Sequence, residues 1–461
     1  MAKRWEKDSF GRVRIDDAKY YGINTFRALE NFRISGIAVP IEIIKAIALI
    51  KLAYCKSHLK KRTIESKKAS AIIKAAKEVL SGKFDQEFLV DVFQTGSGTS
   101  TNMNVNEVIA NRAVEILGGK KGDKNIVHPN DDVNKGQSSN DVFPSSIQIA
   151  LLIQIREKLT PALKKLKKAL SKKSNEFKNI SKAGRTHLMD ALPITLGDEF
   201  SAYSSQIKHS IDAIEVCEKE LLFLPLGGTA VGSGFGTSRD VSRQAINFIN
   251  KETKIKFKQA ENLYEGLGAK ENLLHFSSAL KRTAVALMKI CEDLRLMASG
   301  PKCGLSEISL PELQAGSSIM AGKVNPVILE MTQMVCAEII GFDSANTICA
   351  MGGRLELNVM MPLLSFNLIF GTKVLSNAAE TLAEKCVQGI VANQKKCEYY
   401  AESTPSIVTF LQPYVGYDKA SLLYKEAVEK NISIRNLIIE KRLMSEREIS
   451  EIFDFYRKKK K

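Results

Sequence analysis

Residues 151–173 read LLIQIREKLTPALKKLKKALSKK. Leu152, Ile155, Leu159, Leu163, Leu166 and Leu170 recur at steps of three and four, and mostly charged residues stand between them. That period keeps one stripe of an α-helix apolar over several turns and leaves the opposite face wet. Pro161 falls inside the run, so the spacing predicts a kink there or a break just before it. The same stepping returns in Phe200, Tyr203, Ile207, Ile211 and Ile214, and again in Leu280, Ala284, Leu287, Cys291, Leu294 and Ala298. Few turn signals separate these segments. Long antiparallel helices with apolar stripes bury one another as a bundle, so the fold class is mainly α with a long central helical bundle. Part of the apolar surface is expected to serve partner subunits.

On either side the texture changes, and three domains are expected. Residues 1–137 form a loop-rich mixed N-terminal domain and 138–390 the long-helix bundle. Residues 391–461 form a small helical C-terminal domain, introduced by the proline-interrupted TPSIVTFLQPYVGYDKA. A chain of 461 residues with 44% hydrophobic and 26% charged side chains can bury a large core as a soluble protein. Its start, MAKRWEKDSFGRVRIDD, has no apolar stretch of the kind a secretory signal needs. The apolar run IEIIKAIALIKLAY (41–54) is broken by lysine well short of the ~20 residues of a bilayer span. No membrane partner is expected, and the interior of the cell, the cytoplasm, is the expected location.

Eight cysteines are scattered without a CxxC pair, which favours reduced, mostly buried thiols over a metal cluster. The net charge of +16 sits on wet helix faces such as KKLKKALSKK (164–173) and in the terminal RKKKK (457–461), most simply a disordered tail. A nucleic-acid partner is not expected from it.

Four stretches carry polar residues that a plain bundle would not need. TGSGTSTNMN (95–104) sets Ser97, Thr99 and Ser100 among glycines and suits an anionic oxygen ligand, although such loops also serve as simple connectors. HPNDDVNKGQSSND (128–141) brings His128, Asn130 and Asp131, then Ser138, Ser139 and Asn140 before a helix that begins near Val142. A cap needs one such residue, and three consecutive donors at a helix start make a natural carboxylate site. GRTHLMDALPITLGDE (184–199) places His187 beside Arg185, Thr186 and Asp190, a fair setting for a general acid or base. His58, His209 and His275 read instead as surface or satisfied core histidines. GSSIMAGKVNP (316–326) offers Ser317, Lys323 and Asn325, with Glu330 on the helix that Pro326 starts; alone, it would pass for a glycine-rich hinge. No phosphate-binding G-x-x-x-x-G-K-[ST] loop is present, and GSGFG (232–236) lacks a strand–helix context.

In this order and spacing the four stretches resemble the fumarase/aspartase superfamily, whose signature loop is close to GSSxMPxKxN. The resemblance runs from EKDSFGRVRIDDAKYYGINTFRALENFRIS (6–35) to GYDKA (416–420). Within the superfamily the chain is most similar to the iron-independent, class II fumarases: VHPNDDVNKGQSSNDVFP and GRTHL have the fumarase form. Aspartases typically carry glutamine where His187 stands and lack a histidine at position 128. LPELQAGSS (310–318) is closer to aspartase, Ala321 replaces the usual loop proline, and Asn125 stands where a basic residue is common.

The resemblance implies a three-part chain assembling as a homotetramer, with each active site shared among three subunits. It implies reversible hydration of fumarate to L-malate through an aci-carboxylate, with a small dicarboxylate as partner and neither metal nor cofactor. Ser317 then corresponds to the base, and His187, oriented by Glu330, to the group that handles water. Lys323 and Asn325 hold the carboxylate that gains charge. Ser97, Thr99, Ser138, Ser139, Asn140 and Thr186 bind and orient substrate, and His128, Asn130 and Asp131 form a second anion site. Two rival readings stand beside this one: an aspartate ammonia-lyase, and an inactive helical scaffold that binds anionic partners.

Overall fold

The stripe at 151–173 is helical throughout. A helix over Ser139–Gln154 passes through a π turn at Ile155–Leu159 into a helix over Thr160–Glu176. Every residue of the predicted stripe is fully buried. The helical run does not end at Pro161; the wider turn directly before it makes room for the ring and its missing donor. The second stripe lies on the helix Leu196–Leu221 and is buried from Phe200 to Ile214. The third lies on Glu271–Met297, buried from Leu280 to Leu294; Ala298 falls one residue past its end and is half-buried.

The computed structural model describes residues 2–445, 447–449 and 451, and the basic tail at 457–461 lies outside them. Two compact units divide the chain. One comprises Met1–Pro161, Ile211–Ala284 and Val335–Ser376; the other comprises Ala162–Ser210, Val285–Met334 and Asn377–Lys461. Sheets among the described residues are all two-stranded, and helices dominate both units.

In the first unit the helix Ile41–Lys60 packs against Ser66–Leu80, Thr99–Ile116, Ser139–Gln154 and Arg239–Thr253. It follows Pro40, with Glu42 in its first turn and Lys60 in its last, charges that complement the helix dipole. It is buried nearly all round, as a central helix must be, and its buried residues include Lys51.

In the second unit the strands Ser181–Thr186 and Met189–Thr195 form an antiparallel hairpin. Its two-residue turn is His187–Leu188, with φ of +55° and +61°. Two successive positive φ values match the right-handed twist of a hairpin, but the conformation is one that asparagine and glycine adopt more easily. A charged cluster lies behind this hairpin. Glu307, fully buried, pairs with Lys182 at 2.9 Å and with Arg185 at 2.8 Å; Lys182 also reaches Glu199 at 2.8 Å. Arg185 lies over the Tyr400 ring at 5.4 Å, and the helix Gln394–Ser403 packs on the same strand. Nearer the C-terminus, Val408, Leu411, Leu423, Leu437 and Ile438 form a separate apolar cluster.

Removing one member of a buried ion cluster strands the others. Lys182 keeps Glu199 if Glu307 is lost, whereas Arg185 keeps no carboxylate partner among the described residues. Glu307→Ala should therefore destabilise the protein by about 3–5 kcal/mol in urea unfolding. An unchanged midpoint would show that the cluster does not hold the hairpin.

Candidate active site

Two glycines shape the first cluster. Gly98 precedes the helix Thr99–Ile116 with φ +74°, and a Cβ there would sit 2.2 Å from the Phe143 ring. A Cβ on Gly96 would meet the Val359 carbonyl oxygen at 1.8 Å. Only glycine lets this backbone come so close. The hydroxyls it carries form a chain: Ser97 Oγ to Thr99 Oγ1 at 2.9 Å, and Thr99 Oγ1 to Ser139 Oγ at 2.7 Å.

Ser139 opens the helix Ser139–Gln154, and Ser138 is its cap. Ser138 Oγ accepts the Asn140 N–H at 3.2 Å, while Asp141 Oδ1 accepts the Ser138 N–H at 3.0 Å. The helix thus starts a few residues earlier than the sequence pattern indicates, because a capping box closes it. The other oxygen of Asp141 accepts the N–H groups of Gly227 and Thr229 at 2.9 and 3.1 Å. Burial pushes this carboxyl up, and the three N–H donors and the Lys51 charge pull it back. Asn140 donates its side-chain amide to the Ala230 carbonyl at 2.8 Å, which fixes the side chain.

His128 also acts as a cap. Its Nδ1 accepts the N–H groups of Asn130 and Asp131 at 3.2 and 3.1 Å, so its proton resides on Nε2. The Asp131 carboxylate lies 3.4 Å from the same Nδ1, but with that nitrogen accepting, the contact is not an ion pair. The side chains of Asn130 and Asp131 are exposed.

The second cluster belongs to the other unit. The loop 316–326 is tied at its neck, where Gly316 N–H donates to the Lys323 carbonyl at 2.9 Å and Asn325 Nδ2 to the Gly316 carbonyl at 2.6 Å. A Cβ on Gly316 would sit 2.5 Å from that Lys323 oxygen. Within the loop, Ser317 Oγ accepts the N–H groups of Ile319 and Met320 at 3.2 and 2.9 Å. Lys323 is exposed, as is Ile319 at 92%. The helix Val327–Ala350 follows Pro326 and carries Glu330, half-buried, in its first turn. Thr186 and His187 stand exposed at the hairpin tip. Among the described residues no hydrogen bond or ion pair links His187 to Glu330.

The fold therefore gathers Ser97, Thr99, Ser138, Ser139 and Asn140 in one unit, and Ser317, Lys323 and Asn325 in the other. Among the described residues, no group of three His, Cys, Asp or Glu side chains is placed to hold a metal ion. The sequence pattern misses the supports. Asp141 was detectable, since it stands three residues after Ser138 in capping-box register; Glu307, 122 residues from Arg185, carries no local signal.

Residues 11–341 match a sequence family described as Lyase, and residues 407–457 match one described as Fumarase C C-terminus. A class II fumarate hydratase of Rickettsia bellii is 44% identical over 449 residues, covering 97% of each chain. A mitochondrial fumarate hydratase of Dictyostelium discoideum is 44% identical over 435 residues, covering 94% of this chain and 90% of the relative. The crystal structure of a class II fumarase from Schistosoma mansoni superposes with a TM-score of 0.95 at 37% identity, over 99% of both chains. With the mainly helical fold and the polar clusters described above, these likenesses decide the assignment: the chain belongs to the class II fumarate hydratase family of the fumarase/aspartase lyases.

Proposed function

We infer that this chain catalyses the reversible hydration of fumarate to L-malate, and that Ser317 is its base. In the malate direction a proton leaves C3, next to a carboxylate that is already negative. The resulting aci-carboxylate carries extra charge and forms only where preformed donors and a cation meet it. A serine hydroxyl is a poor base unless its alkoxide is stabilised as well. The observation that carries the reading is the pair of backbone N–H groups aimed at Ser317 Oγ, from Ile319 and Met320. They stand ready to stabilise an oxyanion, and a proton acceptor is the role that such a setting fits.

Lys323 and Asn325, carried on the same loop, supply the cation and the amide for the carboxylate that gains charge. Ser139 and Asn140, at the start of a helix and linked through Thr99 to Ser97, suit the other end of a dicarboxylate. His187, oriented by Glu330 and assisted by Thr186, is assigned the water on the opposite face. We propose that each centre draws these groups from three subunits of a homotetramer. The exposed hairpin tip and loop 316–326, including Leu188, Met189 and Ile319, are the apolar surfaces such an assembly would cover. A cytoplasmic setting suits eight cysteines that all remain free thiols.

Incubated with fumarate, the purified protein should remove the substrate's ultraviolet absorbance without ammonium. Strict dependence on ammonium would assign an aspartase instead. Ser317→Ala and His187→Gln should each lower turnover by about 10²–10⁴-fold while leaving the unfolding midpoint in place. Turnover equal to the parent in either variant would remove that residue from the mechanism.

A further inference from the structure

Among the buried ammonium groups of the described residues, Lys51 stands directly behind the first polar cluster, in a place that neither the helical core nor the proposed chemistry requires. Lys51, 0% exposed, stands among mostly apolar buried residues of the helix Ile41–Lys60. Its Nζ donates to Asn134 Oδ1 at 2.5 Å and to Gln137 Oε1 at 3.1 Å. Among the described residues no carboxylate is hydrogen-bonded to it; Asp141 acts on it only through its charge. Burying an ammonium against neutral amides costs several kcal/mol, and a leucine would fill the same space without that cost.

The amides that hold Lys51 also build the substrate-facing loop. Asn134 Nδ2 donates to the Gln137 carbonyl at 3.0 Å, and Gln137 N–H returns a bond to the Asn134 carbonyl at 3.0 Å. Gln137 is followed at once by Ser138, Ser139 and Asn140. Asn102, on the helix that Thr99 begins, donates to Asn134 Oδ1 at 3.3 Å, and its own buried Oδ1 has no hydrogen-bond partner among the described residues. Both strands of the first cluster therefore converge on the Asn134 side chain, and Lys51 fixes that side chain from beneath.

We propose that Lys51 is a positioning residue for dicarboxylate binding: it locks Asn134 and Gln137 so that Ser138–Asn140 keep their aim, and it places behind them a buried positive charge that faces the Asp141 carboxylate. Burial draws the ammonium down to about 7, so the charge is held at a cost that an arriving anion offsets. A charge in this low-dielectric interior acts on a dianion more strongly than a surface lysine does. The proposal rests on the fumarate reading, and its test separates the two.

The experiment compares fumarate kinetics, and calorimetric binding of the unreactive dicarboxylate succinate, for the parent, Lys51→Met and Gln137→Leu. A parent that neither turns over fumarate nor binds succinate would overturn the functional reading itself. With an active parent, Lys51→Met should raise KM and the succinate Kd about tenfold or more while kcat stays within about threefold. A merely structural lysine behaves differently: lost folding lowers the active fraction, and so kcat, at constant KM. Gln137→Leu keeps the cation and removes one acceptor, so it should shift KM in the same direction even if Lys51→Met does not fold. The double variant should cost less than the two single effects combined, since both break one network. Unchanged KM and Kd in a folded Lys51→Met, or in Gln137→Leu where only that variant folds, would overturn the proposal.

Discussion

A single buried carboxylate sets the position of Ser138, Ser139 and Asn140, the groups proposed to meet substrate in the first unit. Asp141 accepts N–H groups from Ser138, Gly227 and Thr229, so it closes the start of one helix and anchors a distant loop in the same contact. Fixing backbone costs about 1–2 kcal/mol of conformational entropy per residue. Three charge-assisted hydrogen bonds to one buried group are a local way to meet that cost. Because Ser138, Ser139 and Asn140 immediately precede this carboxylate, their geometry is inherited from the core rather than from the loop's own preferences.

The second unit follows a different plan. Loop 316–326 is closed at its neck by Gly316, Lys323 and Asn325, yet its apex, with Ile319 and Met320, stands in solvent. The hairpin that carries His187 has strained backbone at its tip and a buried ion cluster behind it. Strain of this sort persists only where the surroundings over-determine it. Glu307, held between Lys182 and Arg185, is what over-determines it here. At the hairpin, His187 is exposed and its support is buried.

What could be read from the sequence was what local periodicity and local chemistry encode. The apolar stripes reported three long helices because a helix repeats within four residues, and the Ser138–Asn140 cap announced a helix start. The loop at 316–326 was legible through its glycines and through family resemblance. Long-range pairings left no such trace. Glu307 gives no hint of Arg185, and the π turn before Pro161 looks the same in sequence as a kink. Lys51 was visible only as the interruption that stops residues 41–54 from being a membrane span. A local reading sees the break in hydrophobicity but not the amides, more than 80 residues away, that receive the ammonium.

Lys51 also clarifies what the net charge of +16 can and cannot do. Surface lysines are screened over roughly 8–10 Å at physiological salt, so they guide an anion toward the protein without deciding how tightly it is held. Holding a dicarboxylate, and then its more highly charged intermediate, requires charges and dipoles that water cannot neutralise. Buried groups satisfy that condition: Lys51 beneath the Asn134–Gln137 amides, and the N–H groups trained on Ser317 once the loop is shielded from water. On this view the abundant lysines of the surface affect the rate of encounter, and the buried Lys51 affects the strength of binding. The two contributions differ in how they respond to salt. Encounter weakens steeply as ionic strength rises, whereas the interaction with a desolvated charge changes little, because counter-ions do not enter the core.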